Sequence, residues 1–148
     1  MIERANAAWV KDLIGGTQYM VSATTDGDGP WVAPVEPVVD EDVNFYFFST
    51  LDARHSRHID SGGQVAAVMF GSEQPDHTPT LTANLNAVQM TGEARRLDQS
   101  EHNEAVKGAI CFLKPPMLPY EVHVFTPDRF YVPAIENGVN SRYEVTMA

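Results

Sequence analysis

The chain has 148 residues, 43% of them hydrophobic, which suits one domain with a proper core. Twenty acidic side chains against ten basic ones leave a formal net charge of −10, a surface that repels nucleic-acid phosphates and anionic lipid. There is no long apolar run of membrane-spanning kind and no signal peptide, and the one cysteine, Cys111, has no internal partner. These features read as a cytoplasmic protein with no membrane and no nucleic-acid partner.

The spacing of Ile2, Ala5, Trp9 and Leu13 predicts a helix over 3–14, closed by Gly15-Gly16. A strand over 17–25 follows, then the turn Asp26-Gly27-Asp28-Gly29 and a second strand over 31–39. Pro34 and Pro37 cannot donate to a sheet ladder. That second strand is therefore an edge, a bulge, or a place where backbone faces something other than a strand. Asp40-Glu41-Asp42 turns the chain into a third strand over 43–49.

Residues 45–59 change character within a few positions. Phe45, Tyr46, Phe47 and Phe48 suit a half-buried strand. Asp52 is placed to cap a helix over 53–61. Arg54 falls in its first turn, followed by His55, Arg57 and His58. Free N–H groups and the peptide dipoles at a helix start favour anions, and a guanidinium fork matches phosphate. The same residues also fit a solvated helix face, with Asp52 and Asp60 as partners for the arginines. A zinc site is not expected from two histidines with arginines between them.

Ser61-Gly62-Gly63 ends that helix, and 64–70 is apolar enough to be a central strand buried on both faces. A loop over 71–79 precedes a long strand or bent pair over 80–97, with a bend at Gly92. Asp98 and Glu101 have capping-box spacing for a helix over 100–113, in which Cys111 is a buried rather than a reactive thiol, and Lys114-Pro115-Pro116 stops it. Strands over 121–125 and 129–132 flank a turn at 126–128. After a loop over 136–141 comes a last short strand over 142–145. The pattern is one domain of mostly antiparallel strands with three helices, of α+β or barrel class.

Two blocks carry a resemblance. Residues 48–70 read Phe-Ser-Thr-Leu-Asp-Ala-Arg-His-Ser-Arg-His-Ile-Asp-Ser-Gly-Gly-Gln-Val-Ala-Ala-Val-Met-Phe, and residues 87–97 read Ala-Val-Gln-Met-Thr-Gly-Glu-Ala-Arg-Arg-Leu. They resemble the strand, phosphate turn, helix and return strand, and the glycine-bearing strand, of the flavin-binding split β-barrel family that includes pyridoxamine 5′-phosphate oxidase. The resemblance covers nearly the whole chain. It implies a mainly β (α+β) fold, a six-stranded antiparallel split β-barrel with flanking helices, as a single FMN-binding domain over 1–148. It further implies a homodimer with FMN in a groove between the subunits.

By this resemblance Ala33, Val35, Glu36, Pro37 and Val38 lie on the strand along the flavin ring, and Phe48 and Ser49 end the next strand, where a hydroxyl meets the cofactor. Arg54 matches the phosphate-binding arginine. His55 stands where the oxidase commonly has lysine, and Ala87 where it has glutamine. The oxidase's substrate-binding residues near the C-terminus find no match, so vitamin B6 oxidation is not implied. The implied activity is an FMN-dependent oxidoreductase of unknown substrate, with a nicotinamide as candidate electron donor; Glu36, on the strand expected near the ring, is the one carboxylate that stands out, and it equally fits a solvated edge strand. No catalytic residue and no metal ligand is identified. Two readings stand beside it: a flavin or haem binder without turnover, with His55, His58 or His123 as axial ligand, and a dimeric split barrel without a cofactor.

Overall fold

In the computed structural model, which describes residues 5–71, 86–110 and 120–147, chain continuity forces the sheet to curl. The elements in order are α1 (Ala7–Gly15), β1 (Met20–Asp26), β2 (Gly29–Val35), β3 (Val38–Val39), β4 (Phe45–Thr50), α2 (Arg54–Ser61), β5 (Gln64–Phe70), β6 (Ala87–Arg96), α3 (Glu104–Ile110), β7 (Tyr120–Glu136) and β8 (Val139–Val145). All the pairings are antiparallel, in the order β2-β1-β5-β6-β7-β4-β3, with β8 beside β7. The two ends of that order, β2 and β3, are consecutive in the chain and separated only by Glu36 and Pro37. Two residues span about 7 Å at most. The sheet must therefore bend round until its edges meet, giving a partly closed barrel.

Among the described residues there are eight strands where the resemblance implies six. The difference is a matter of breaks and one addition. The expected strand over 31–39 is β2 and β3, interrupted at Glu36-Pro37, and β8 is an extra strand on β7. The expected turn at 126–128 does not form. Tyr120–Glu136 is one strand, and the register shift between Thr91 and Gly92 absorbs the extra residue as a bulge. The Asn137-Gly138 pair, both at positive φ, makes the β7–β8 turn.

Phe45, Phe47 and Phe125 are almost fully buried inside the barrel with Met20, Met69, Val88 and Met90, each large side chain contributing about 1.5–3 kcal/mol by leaving water. Val10 and Ile14 of α1 close over this core, while Trp9 and Leu13 pack at its margin. A second, smaller cluster of Tyr46, Leu97, Val106, Val122 and Val124 lies under α3. That helix starts at Glu104, later than the capping box predicts. Glu101 accepts the Asp98 backbone N–H at 2.9 Å but closes only a single 3-10 turn over Gln99–Glu101, and Asn103 caps α3 through the Val106 N–H. The calls on 72–85 and 111–116, Cys111 included, lie outside the described residues.

β5 is buried on one face, not two. Val65, Ala67 and Met69 point into the core, while Ala66 and Phe70 are exposed, Phe70 at 53%. β1 shows the same asymmetry. Its inward residues are Met20, Ser22 and Thr24, and its outward ones are Val21 and Ala23.

Gly92 is the point that lets β6 cross β7 at the bulge. A Cβ there would collide with the Thr126 carbonyl oxygen and lie 2.8 Å from the Pro127 Cα, both backbone atoms. Gly92→Ala should destabilise the fold by about 1–3 kcal/mol or more, as forced overpacking does. Urea unfolding checks this, and an unchanged midpoint would refute the tight crossing.

Candidate functional site

The register of the sheet creates a gap. β3 pairs with β4 only at Val38–Tyr46 and Val39–Phe45. Below that, among the described residues, β4 pairs on one side with β7 and β2 pairs on one side with β1. The lower half of β4 and the whole of β2 thus face each other across a split with unpaired edges. In an antiparallel ladder, successive residues alternate in which neighbour their N–H and C=O face. Proline survives where its missing N–H would point away from the partner. Pro30 and Pro34 oppose Thr25 and Val21, so Pro30, Val32 and Pro34 turn their backbone groups to the split. Of these three only Val32 carries an N–H.

The helix α2 lies at the foot of the split. Its N-cap is Ala53, which offers no side-chain acceptor. Asp52 does not cap it as the sequence predicts; its carbonyl oxygen instead accepts from the Arg57 guanidinium at 3.1 Å. The first-turn amides therefore lack a side-chain cap, a setting that favours an anion. Neither aspartate pairs with Arg54 or Arg57 in the way the solvated-face reading proposed, since Asp60 reaches Arg96 at 3.4 Å. Arg54 lies with its guanidinium 4.7 Å from the centre of the Trp31 ring and donates to the Asp28 carbonyl at 3.2 Å.

Ser49 and His55 meet directly, with Ser49 Oγ 2.7 Å from His55 Nε2, and Ser56 Oγ donates to Ser49 Oγ at 3.0 Å. Burial, with the nearby His58, pushes the His55 pKa below 6.5. Ala33 and Val35 send their side chains inward, and Ser22 Oγ donates to the Ala33 carbonyl. Glu36 is exposed and accepts from the Gln18 amide at 2.9 Å. Pro37 and Val38 carry the chain across to β4. Phe48 turns its ring to the cluster under α3, so it borders the split through backbone alone. Of the expected residues only Ser49 and His55 are in hydrogen-bond contact, while Ala33 and Val35 turn inward, Glu36 is exposed and Phe48 packs towards α3.

The sequence singles out His58 but not Thr24, and the contact between the two helps to hold α2 against β1. His58, 2% exposed, places Nδ1 3.1 Å from Thr24 Oγ1, and its Nε2 lies 3.2 Å from an Asp26 carboxylate oxygen without hydrogen-bond alignment. Thr24 and Ser22 look like the solvent side of β1 in the sequence, so no periodicity could have singled them out. His123 is fully buried, stacked on Phe47 with ring centres 5.4 Å apart, and neither ring nitrogen makes a well-formed hydrogen bond. His58 and His123 are thus enclosed by protein. Among the described residues no group of three or more metal-binding side chains converges.

A family model described as pyridoxamine 5′-phosphate oxidase matches residues 8–132. The chain belongs to the pyridoxamine 5′-phosphate oxidase family. Several solved structures share this family's fold. A Listeria innocua protein provisionally assigned as a pyridoxamine 5′-phosphate oxidase superposes with a TM-score of 0.63 at 15% identity, over 84% of this chain and 94% of that one. HutZ, the haem storage protein of Vibrio cholerae, gives 0.63 at 16% identity over 83% and 91%. A Bacteroides thetaiotaomicron protein provisionally assigned to 5-nitroimidazole resistance gives 0.63 at 12% identity over 88% and 82%. At such identities the likeness is one of fold, and the neighbours' printed roles differ. No curated protein matches the sequence.

Burial also pushes the His123 pKa below 6.5, with Asp60 pulling the other way. Folded His55 and His123 are held neutral, whereas the unfolded chain takes up protons near pH 6.5. Stability should be fully present above that pH and fall as pH drops below it. His123→Phe keeps an aromatic ring on Phe47 and should flatten the decline between pH 7 and 5. An unaltered slope in pH-dependent urea unfolding would exclude His123 as a source.

Proposed function

We propose that the split holds FMN and that the protein is a cytoplasmic FMN-dependent oxidoreductase, with a reduced nicotinamide as candidate electron donor. The observation that carries this reading is the position of Arg54, at the uncapped start of α2 and at the foot of a gap whose lips are free strand edges. The residues present fit the group. Arg54 keeps donors for a phosphate beyond the one spent on Asp28. The neutral His55 would gain charge beside that phosphate, because a nearby anion favours imidazolium. Ser49 presents a hydroxyl already oriented by His55 and Ser56, and the free edge of β2 presents backbone carbonyls. Bound FMN would supply the redox chemistry, while the chain orients it and limits its exposure to water.

The second copy implied by the family resemblance has a surface to match. The outward face of β1, β2 and β5 shows Val21, Ala23, Val32, Ala66, Val68 and Phe70, with Val32 59% and Phe70 53% exposed. A trough of about 420 Å³ runs across it towards Tyr131 and Arg142. A trough lined by no acidic side chain, on a chain of net charge −10, is where two copies can approach without opposing carboxylates. Val68→Asp should shift the protein from dimer to monomer in sedimentation at micromolar concentration. A wild-type monomer under the same conditions would refute the shared groove.

Two alternatives differ in what supports them. A flavin binder without turnover draws support from Glu36, whose carboxylate is engaged by Gln18. A haem reading meets enclosed His58 and His123 and a His55 tied to Ser49. The absorbance spectrum after FMN addition and gel filtration separates them. Flavin bands at about one per chain support the proposal, a Soret band supports haem, and a colourless protein refutes both. Arg54→Ala should weaken FMN by about 1.5–3 kcal/mol, the range for hydrogen bonds to charged groups, and should affect riboflavin far less. Equal losses for the two ligands in a calorimetric titration would remove Arg54 from the phosphate.

A further inference from the structure

The geometry points to Trp31 as the residue that positions Arg54 for anion binding, a role that rests on the Arg54 assignment above. An arginine at the first position of a helix has several rotatable bonds and loses much freedom when it grips a ligand. Here two contacts restrain it before any ligand arrives. One guanidinium nitrogen donates to the Asp28 carbonyl at 3.2 Å, and the guanidinium carbon lies over the indole, 4.7 Å from its centre. Both contacts come from the β1–β2 hairpin, Asp28 from its turn and Trp31 from the start of β2.

The hairpin tip is itself fastened. Asp26 Oδ1 accepts the Asp28 N–H at 2.7 Å, and the same carboxylate lies 3.2 Å from the buried His58 of α2. The tip that holds Arg54 is therefore anchored to the helix that carries Arg54.

Trp31 has little other reason to sit there. It is 40% exposed and stands outside both hydrophobic clusters, so burial explains it poorly. A cation–π contact on the ring spends none of the guanidinium N–H donors, so those not given to Asp28 stay free for the paired hydrogen bonds a phosphate accepts. Asp26 and Asp28 are acidic neighbours that repel an approaching anion. A fixed fork aimed away from them avoids part of that opposition.

The test measures FMN and riboflavin dissociation constants for the full chain by calorimetry, with Trp31→Leu, Trp31→Gln, Trp31→Tyr, Arg54→Ala and the double variant Trp31→Leu/Arg54→Ala. The expected result is a loss of FMN affinity of roughly 3- to 30-fold in Trp31→Leu and Trp31→Gln, a much smaller loss of riboflavin, and recovery in Trp31→Tyr. In the double variant the tryptophan change should add nothing to Arg54→Ala. Equal losses for the two flavins, no loss, or additive losses in the double variant would overturn the role.

If the wild-type protein binds neither flavin, the FMN reading fails by itself. The positioning role is then decided by titrating inorganic pyrophosphate into Trp9→Phe protein, in which Trp31 is the only tryptophan. A saturable change in emission that Arg54→Ala removes supports the role, and a flat titration overturns it.

Discussion

Everything in this fold depends on two residues, Glu36 and Pro37, that connect opposite ends of one sheet. Because β2 and β3 are the first and last strands of the pairing order yet adjacent in the chain, the sheet has no freedom to lie open. It curls, and β3 reaches β4 through only two residue pairs. Pairing stops there because β3 is short and β2 diverges below it. The split is thus a geometric remainder: closure is complete at one end of the barrel and absent at the other.

That remainder needs a floor, and α2 supplies it with an uncommon amount of polar chemistry. Ser56 and His58 are as buried as the core aliphatics. Their cost is offset because Ser56 reaches Ser49 and His58 reaches Thr24, each a donor–acceptor pair inside a low-dielectric setting. Of the inward polar positions of β1, Thr24 receives the helix, while Ser22 donates to the Ala33 carbonyl of β2. The same contacts make α2 a rigid mount, so the first-turn arginine and histidine are placed by the barrel rather than by the helix's own propensity.

Much of this was legible in the sequence, and the failures have identifiable causes. The hairpin at 26–29, the helix after the aromatic strand, the break at Gly62-Gly63 and the bend at Gly92 were all signalled by local chemistry. Apart from the family resemblance, the split was visible only as an ambiguity about prolines. The second face of β5 was misread, because an apolar run does not report which side faces a core. Outward Val21, Val32 and Phe70 carry the apolar character of buried residues. The continuous β7 was hidden by Pro127, which a bulge tolerates. At the site, Arg54, His55 and Ser49 stood out by type and by family likeness. Asp52 as cap failed because Ala53, one residue later, occupies the N-cap. Trp31 and Asp28 gave no signal, because their link to Arg54 spans more than twenty residues and exists only once the hairpin folds against α2.

Pro30 and Pro34 have a consequence for solubility as well as for binding. An unpaired strand edge invites a strand from another molecule, and two such edges face the same gap. Along β2 the edge lacks an N–H at two of its three outward-turned positions, so a foreign strand laid into the gap would find carbonyls without their complementary donors. The same deficit prevents β4 from zipping onto β2 and sealing the barrel. The prolines act as spacers. They hold the seam apart against the tendency of a sheet to complete itself.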